Sequence, residues 1–99
     1  MTVTYEQARE IVRKHFEPRW TFGTFCLDDR WITENEEFYV FKLGAREFII
    51  DGDHYYAILG GVPIVLKEDG RVASRPSAMV ATDPSIRATP NPNPMLTLP

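Results

Sequence analysis

Cysteine and histidine are scarce in this sequence, which has one cysteine, Cys26, and two histidines, His15 and His54. A single cysteine excludes a disulfide within the chain. A structural zinc site prefers four cysteine or histidine ligands, and a catalytic zinc site needs three and an open position. We therefore expect neither a metal nor a cofactor, and we interpret Cys26 as a small buried hydrophobic residue.

Excess basic charge and long apolar runs are also missing. The 99 residues carry 11 Lys and Arg against 14 Asp and Glu, a formal net charge of −3, which argues against nucleic acid as a partner. No apolar run approaches the roughly 20 residues of a membrane helix or the roughly 7–15 of a signal-peptide core. We expect a cytoplasmic protein with no membrane partner.

The short motifs of common catalytic sites are absent as well. The sequence contains no Gly-x-Ser-x-Gly turn and no Gly-x-x-x-x-Gly-Lys phosphate loop. These motifs position a nucleophile and a phosphate group, respectively. We therefore expect a protein that is not an enzyme and has no catalytic residues.

What the sequence does contain begins with an amphipathic segment. Apolar residues recur every three or four positions as far as Phe16, and charged residues occupy the other face. This spacing predicts a helix over Thr4–Phe16. Thr4 and Gln7 have the spacing of a capping box, and Pro18 is expected to end the helix.

After Pro18 the apolar residues alternate every two positions, which is typical of strands. A phase slip predicts a β-bulge at Gly23. Asp51-Gly52-Asp53 and Lys67–Gly70 predict hairpin turns, with a positive φ at Gly70. Tyr55 and Tyr56 then fall in a strand and face opposite sides.

These patterns predict an α+β fold in which the N-terminal helix packs on a four- to five-stranded antiparallel sheet. We expect residues 1–76 to form a single domain and residues 77–99 to be a proline-rich extension that is partly disordered. Six of the eight prolines lie in the last 24 residues, so Thr89–Pro99 is predicted to be an extended tail that is dispensable for folding. The predicted core consists of Tyr5, Ala8, Ile11, Val12, Phe38, Val40, Ile49, Ile58, Val65 and Val72.

Negative charge is concentrated in the middle of the chain. Residues 28–53 contain eight acidic and three basic residues, a local charge of −5. This segment is either a set of solvated loops or an acidic surface that steers a basic partner. Trp31 is either a cover for a small core or a binding anchor. The candidate partner-binding residues are Asp28, Asp29, Trp31, Glu34, Glu36, Asp51 and Asp53.

A family resemblance rests on the segment Tyr56–Val72. It contains Gly60, Gly61 and Pro63, followed by the turn Asp69-Gly70. With the preceding helix and aromatic strand in the same order, the segment resembles the immunity protein 35 family, also called YrhB-like domains. The two glycines and the proline have a structural reason, because they let the chain kink between strands.

The resemblance implies a non-catalytic cytosolic protein, a monomer or homodimer, that binds and blocks a cognate toxin of a polymorphic toxin system. Many such toxin domains are basic, and an acidic surface suits them. The alternative is a chaperone-like or peptide-binding module, which would use an open sheet edge and aromatic surface to bind a client strand.

Overall fold

A computed structural model describes residues 2–57 and 61–96. Helix α1 (Tyr5–Phe16) begins at Thr4, as the sequence predicts. The Thr4 hydroxyl accepts the N–H of Gln7 at 3.2 Å, and the Gln7 side chain accepts the N–H of Thr4 at 2.9 Å. The predicted capping box is confirmed, and it satisfies two N–H groups that the first turn would otherwise leave unpaired. A 3-10 turn, Glu17–Arg19, contains Pro18 and follows α1.

Five strands form one antiparallel sheet in the order β4-β3-β2-β1-β5. The predicted α+β fold is therefore confirmed, at the upper end of the expected strand number. The strands are β1 (Phe25–Glu34), β2 (Phe38–Ala45), β3 (Gly61–Leu66), β4 (Val72–Pro76) and β5 (Arg87–Pro90). Two short helices and a second 3-10 turn connect them, namely α2 (Arg46–Ile49), α3 (Ser77–Thr82) and His54–Tyr56.

The core lies between α1 and one face of the sheet. Tyr5 stacks on Phe41 with 5.4 Å between ring centroids and meets Tyr39 edge-on at 5.6 Å. Ala8 and Val12 follow at helical spacing and are completely buried with Val65. Burial of each large apolar side chain contributes about 1.5–3 kcal/mol. Of the predicted core, Tyr5, Ala8, Val12, Phe38 and Val65 are buried, Ile11, Val40, Ile49 and Val72 are half-buried, and Ile58 lies outside the described residues.

The predicted hairpin at Asp51-Gly52-Asp53 is wrong, because helical turns lie on both sides of it. The N–H of Gly52 bonds to the carbonyl of Phe48 at 3.0 Å, and Gly52 has a φ of +72°. A glycine with this backbone angle is a common way to end a helix. The Asp53 carboxylate then accepts the N–H of Tyr55 at 3.0 Å and caps the next turn.

The prediction of a β-bulge at Gly23 is also wrong. Gly23 has a φ of +72° and lies in the loop before β1 begins at Phe25. The break in register lies between Asp28 and Thr33. Because side chains alternate between the faces of a sheet, an irregularity there moves the later residues of β1 to the other face.

The segment after residue 76 completes the sheet. Since β4 and β5 occupy opposite edges, the connection 77–86 has to cross from one edge of the sheet to the other. It passes the β1–β2 turn, where the Ser85 hydroxyl accepts a hydrogen bond from the Asn35 side chain at 3.2 Å. Thr89 and Pro90 belong to β5, so the predicted tail does not begin at Thr89. Proline is tolerated here because β5 is an edge strand. Residues 97–99, the end of the predicted tail, lie outside the described residues.

Candidate functional site

Asp28, the first candidate carboxylate, forms an ion pair within its own strand. Its two oxygens accept hydrogen bonds from Arg30 Nε at 2.8 Å and Nη2 at 2.7 Å. Lys42 Nζ lies 3.9 Å away on the neighbouring strand. The hydrogen bonds from Arg30 hold the pKa of Asp28 below its usual range. The side chain is only 8% exposed, so little of it is available to a partner.

Asp29 points to the opposite face of β1 and is 1% exposed. Its carboxylate accepts hydrogen bonds from Arg9 Nη1 at 2.9 Å and from the main-chain N–H groups of Met95 at 2.7 Å and Leu96 at 2.9 Å. Its own carbonyl accepts the side-chain amide of Asn91 at 2.7 Å. The expectation that Asp29 is a solvated carboxylate is therefore wrong. Its hydrogen bonds connect the C-terminal segment to β1 of the sheet.

Trp31, Glu34 and Glu36 do not form one acidic surface with the two aspartates. Trp31 is 55% exposed and lies opposite Pro90 in the register of β1 and β5. Glu34 accepts a hydrogen bond from Lys67 Nζ at 2.6 Å. Glu36 is exposed in the β1–β2 turn and lines an open cleft with Glu34 and the two cations Lys67 and Arg87. The charge of this cleft is mixed.

A second group of residues combines exposed aromatic rings with exposed carboxylates. Phe22, Tyr55 and Tyr56, here called the aromatic platform, have ring centroids 5.2–5.9 Å apart. Tyr55 is 75% exposed and Phe22 is 39% exposed. Asp51 and Asp53 are exposed in the turn that leads into the platform. Two of the predicted candidates therefore directly precede the tyrosines of the platform in the chain. The prediction that Tyr55 and Tyr56 fall in a strand and face opposite sides is wrong, because both belong to the 3-10 turn His54–Tyr56 and their rings are 5.2 Å apart.

The loop below the platform is held by close contacts. A Cβ atom at Gly23 would lie 2.9 Å from the ring of Tyr56 and 2.9 Å from Ala45 Cβ. The Glu47 carboxylate accepts the N–H of Thr24 at 2.9 and 3.1 Å, and this bond lowers the pKa of Glu47. Only a glycine at position 23 lets the loop approach so closely. The backbone that carries Phe22 is therefore fixed before any partner binds, which reduces the entropy cost of binding.

The described residues that carry the family resemblance lie in β3 and in the β3–β4 turn. Gly61 and Pro63 lie in β3 opposite Pro76 and Ser74 of β4, and Gly60 lies outside the described residues. Gly70 has a φ of +76°, which confirms the positive φ predicted for the β3–β4 turn.

The two outermost strands, β5 and β4, have few outward hydrogen-bond donors. The N–H of Asn91 bonds to the carbonyl of Arg30. Because successive residues of an edge strand point their backbone N–H and C=O groups alternately toward and away from the neighbouring strand, those of Ala88 and Pro90 point outward. Proline has no N–H, so only Ala88 offers a donor. On β4, the same alternation leaves Val72, Ser74 and Pro76 facing outward, and the Arg75 side chain already donates to the carbonyl of Ser74 at 3.0 Å. Edges of this kind are poor templates for a further strand.

In residues 2–57 and 61–96, no three His, Cys, Asp or Glu side chains are grouped so that they could hold a metal ion. None of the helices in this part of the chain has the length and apolar character needed to cross a membrane. Comparison with protein-family models, curated proteins and solved structures finds no match to the chain.

Proposed function

We propose that this protein is a non-catalytic immunity protein that acts in the cytoplasm, where it binds and neutralises a cognate bacterial toxin with a basic surface. The observation that carries the proposal is the aromatic platform of Phe22, Tyr55 and Tyr56 beside the exposed carboxylates Asp51 and Asp53. The resemblance of Gly61, Pro63 and Gly70 to the immunity protein 35 pattern supports the same class of function.

The chemistry of this surface fits a basic protein partner. Tyrosine is enriched at binding hot spots because it supplies a large rigid contact area with a polar tip. Aromatic faces also attract the guanidinium and ammonium groups of a partner's Arg and Lys side chains. Carboxylates at the rim add attraction at long range and accelerate association.

Ion pairs within the chain reduce the negative charge that the protein presents to a partner. Asp28, Asp29 and Glu34 are each paired with a cation of the same chain. Asp51 and Asp53 form no such ion pair within the described residues. The proposed interface is therefore centred on Tyr55 rather than on Trp31 and the adjacent aspartates of β1.

The alternative function, a chaperone-like or peptide-binding module that adds a client strand to a sheet edge, requires free outward N–H groups. Only Val72 and Ser74 offer them on β4, and only Ala88 offers one on β5, by the alternation described above. A Ser74→Pro variant removes one of the donors on β4. Loss of partner binding in that variant would favour the alternative, whereas unchanged binding is expected of an interface at the platform.

The proposal is tested by co-expressing this protein with the product of each neighbouring gene, taken in turn as the candidate toxin, and measuring growth. Wild-type protein should restore growth, and Tyr55→Ala should lose most of the protection without loss of the folded protein. Trp31→Ala is the matched control, because Trp31 is another exposed aromatic residue outside the platform. Equal protection by wild type and the Tyr55→Ala variant, or absence of a complex between the purified proteins, would count against the proposal.

A further inference from the structure

The sheet splits between β2 and β3. Residues 38–40 of β2 pair with residues 64–66 of β3, and the described residues of the two strands form no further pairs, although both strands continue. Each strand keeps its other neighbour, because β1 pairs with β2 as far as Ala45 and β4 pairs with β3 as far as Gly61. The sheet therefore opens into two ribbons, β1–β2 and β3–β4, with a gap between them.

Pairing stops where the register brings Pro63 opposite Phe41. At the other end of the same ladder, the N–H of Lys67 donates to the carbonyl of Glu37. Hydrogen-bonded pairs alternate along an antiparallel ladder, so position 63 of β3 is one that would donate to β2. Proline has no N–H, so this bond cannot form and the two strands are free to separate.

A cavity of about 650 Å³ lies in this gap, within the range of roughly 300–1,000 Å³ that is usual for ligand pockets. Its wall is largely apolar and includes the aromatic rings of Phe16 and Trp20 and the aliphatic side chains of Leu43 and Val62. All four are half-buried. Phe41, which is 2% exposed, also lines the cavity, so the cavity extends to the core.

The cavity reaches both faces of the sheet. Neighbouring side chains on a strand point to opposite faces. Leu43 packs against the core on the α1 face, so Lys42 lies on the other face, where it is exposed. Because both residues line the cavity, it passes through the gap between the ribbons. It therefore has an apolar end beside α1 and an opening to solvent at Lys42.

Lys42 brings positive charge to this opening, and no carboxylate of the described residues lines the cavity. Lys42 Nζ lies 3.9 Å from the Asp28 carboxylate, which is beyond hydrogen-bond distance. Asp28 is already paired with Arg30, whose side chain donates two hydrogen bonds to it. In the part of the chain that the structure describes, the Lys42 ammonium donates no hydrogen bond. Ser77 lies in the same wall, is exposed, and supplies a hydroxyl as a second donor.

We propose that this cavity binds a single-chain carboxylic acid of the fatty-acid class. The apolar chain lies in the gap and contacts Trp20 and Leu43. The carboxylate accepts hydrogen bonds from Lys42 and Ser77 at the opening. A gap between two strands is long and narrow, so it fits an unbranched chain better than a ring. Burial of the chain supplies most of the affinity, whereas the exposed ion pair adds little energy and sets the direction of the ligand.

Trp20 makes binding directly observable by fluorescence. The chain has two tryptophans, and Trp31 lies outside the cavity, so Trp31→Phe leaves Trp20 as the single reporter. Its emission is titrated with straight-chain carboxylates from butanoate to decanoate, each below the concentration at which it forms micelles. The Kd should fall about fourfold for each added CH₂, and it should level off once the chain fills the cavity.

Alcohols of the same chain lengths test the contribution of the carboxylate. Each carboxylate should bind more tightly than the alcohol of equal length. Lys42→Gln should remove this advantage and leave alcohol binding unchanged. Lys14→Gln is the matched control, because Lys14 is an exposed lysine of α1 that lies outside the cavity. A carboxylate that binds no better than its alcohol would overturn the proposal.

Val62→Phe fills the cavity and should abolish binding. Val80→Phe is the matched control, because Val80 is also half-buried but belongs to α3 and lies outside the cavity. Because a variant can fold poorly, the methyl resonances of Leu43 and Val62 in the wild-type protein are followed in parallel, and they should shift with decanoate while those of Val80 do not. The proposal is overturned by unshifted methyl resonances, by a Kd that is independent of chain length, or by full binding to a folded Val62→Phe variant.

Discussion

The carboxylate of Asp29 accepts the main-chain N–H of Met95 at 2.7 Å, across a separation of 66 residues in the sequence. The second oxygen accepts the N–H of Leu96 at 2.9 Å, and Arg9 reaches the same carboxylate from α1. An isolated buried carboxylate is unfavourable, and it is tolerated in a protein only when it is paired and hydrogen-bonded. The C-terminal segment therefore supplies partners on which the folded state of β1 depends.

Truncation of the chain after Pro90 should destabilise the protein, contrary to what its proline content suggests. The truncation removes the hydrogen bonds that Asn91, Met95 and Leu96 donate to Asp29. The Asp29 carboxylate then keeps only Arg9 as a partner. Loss of the other hydrogen bonds should lower the free energy of unfolding by about 2–4 kcal/mol. Urea unfolding measures the difference, and truncation after Leu96 is the control that keeps all three bonds. Equal unfolding midpoints would mean that the segment is dispensable, as the sequence alone predicts.

A pair of glycine substitutions should separate backbone strain from steric overlap. Gly52 and Gly70 have similar φ angles, +72° and +76°. A Cβ at Gly52 meets nothing within 4 Å, whereas one at Gly70 lies 3.1 Å from Ile11 Cδ1 and 3.3 Å from Val3 Cγ2. Gly52→Ala should cost about 1 kcal/mol of stability from the positive φ alone, and Gly70→Ala should cost more, about 1–2 kcal/mol. If both variants unfold at the same denaturant concentration, the contacts of Gly70 add nothing.

The sequence predicts those parts of the fold that local patterns determine. The capping residues Thr4 and Gln7 and the apolar spacing that follows them define α1, and Gly70 defines the β3–β4 turn. The segment around Gly52 is different, because Phe48, Ile49 and the tyrosines have the composition of strands. Whether such a segment forms a strand depends on pairing with the rest of the sheet, which a local pattern does not contain.

The sequence likewise predicts only part of the candidate site, because local patterns do not show which side chains the fold brings together. Asp28 and Asp29 are equivalent in the sequence, but neighbouring side chains on a strand point to opposite faces. One therefore meets Arg30 at the surface and the other meets Arg9 and the C-terminal segment inside. The sequence predicts Asp51 and Asp53 as partner-binding residues but not Phe22, because Phe22 joins Tyr55 only through the tertiary fold.

The ion pair between Asp28 and Arg30 should make stability depend on pH in the acid range. The hydrogen bonds from Arg30 lower the pKa of Asp28 in the folded state, so the unfolded chain takes up a proton first. The stabilisation is complete above the usual aspartate pKa of about 4 and is lost as the pH falls through the depressed value. Asp28→Asn should therefore be less stable than wild type at pH 7, by about 1–3 kcal/mol, and the difference should shrink below about pH 4. Asp51→Asn, at an exposed position, is the control, and a difference that stays constant down to pH 2 would contradict the prediction.

Tyr5 should have the opposite effect, in the alkaline range. Burial raises the pKa of its phenol, and the negative charge of Asp29 adds to the shift. In the unfolded chain the phenol ionises near pH 10, so the folded state loses stability as the pH rises beyond that value. Tyr5→Phe should retain more of its neutral-pH stability at pH 11 than wild type does. Tyr55→Phe, on the surface, should follow the wild-type curve, and identical alkaline unfolding of all three proteins would show that Tyr5 is not responsible.

In the proposed complex with a basic toxin, the aromatic platform and its carboxylates should affect different steps of binding. Charge reversal at Asp51 and Asp53 removes long-range attraction, so association with a basic partner should slow and become less sensitive to salt. Tyr55→Ala removes contact area that forms only in the complex, so dissociation should accelerate, at a cost of about 2 kcal/mol or roughly 30-fold in Kd. Association and dissociation rates measured over a salt series separate the two effects. Charge reversal at Glu36, in the β1–β2 turn, is the control for general changes in net charge, and an equal loss of association rate there would mean that the carboxylates beside Tyr55 have no special position in the interface.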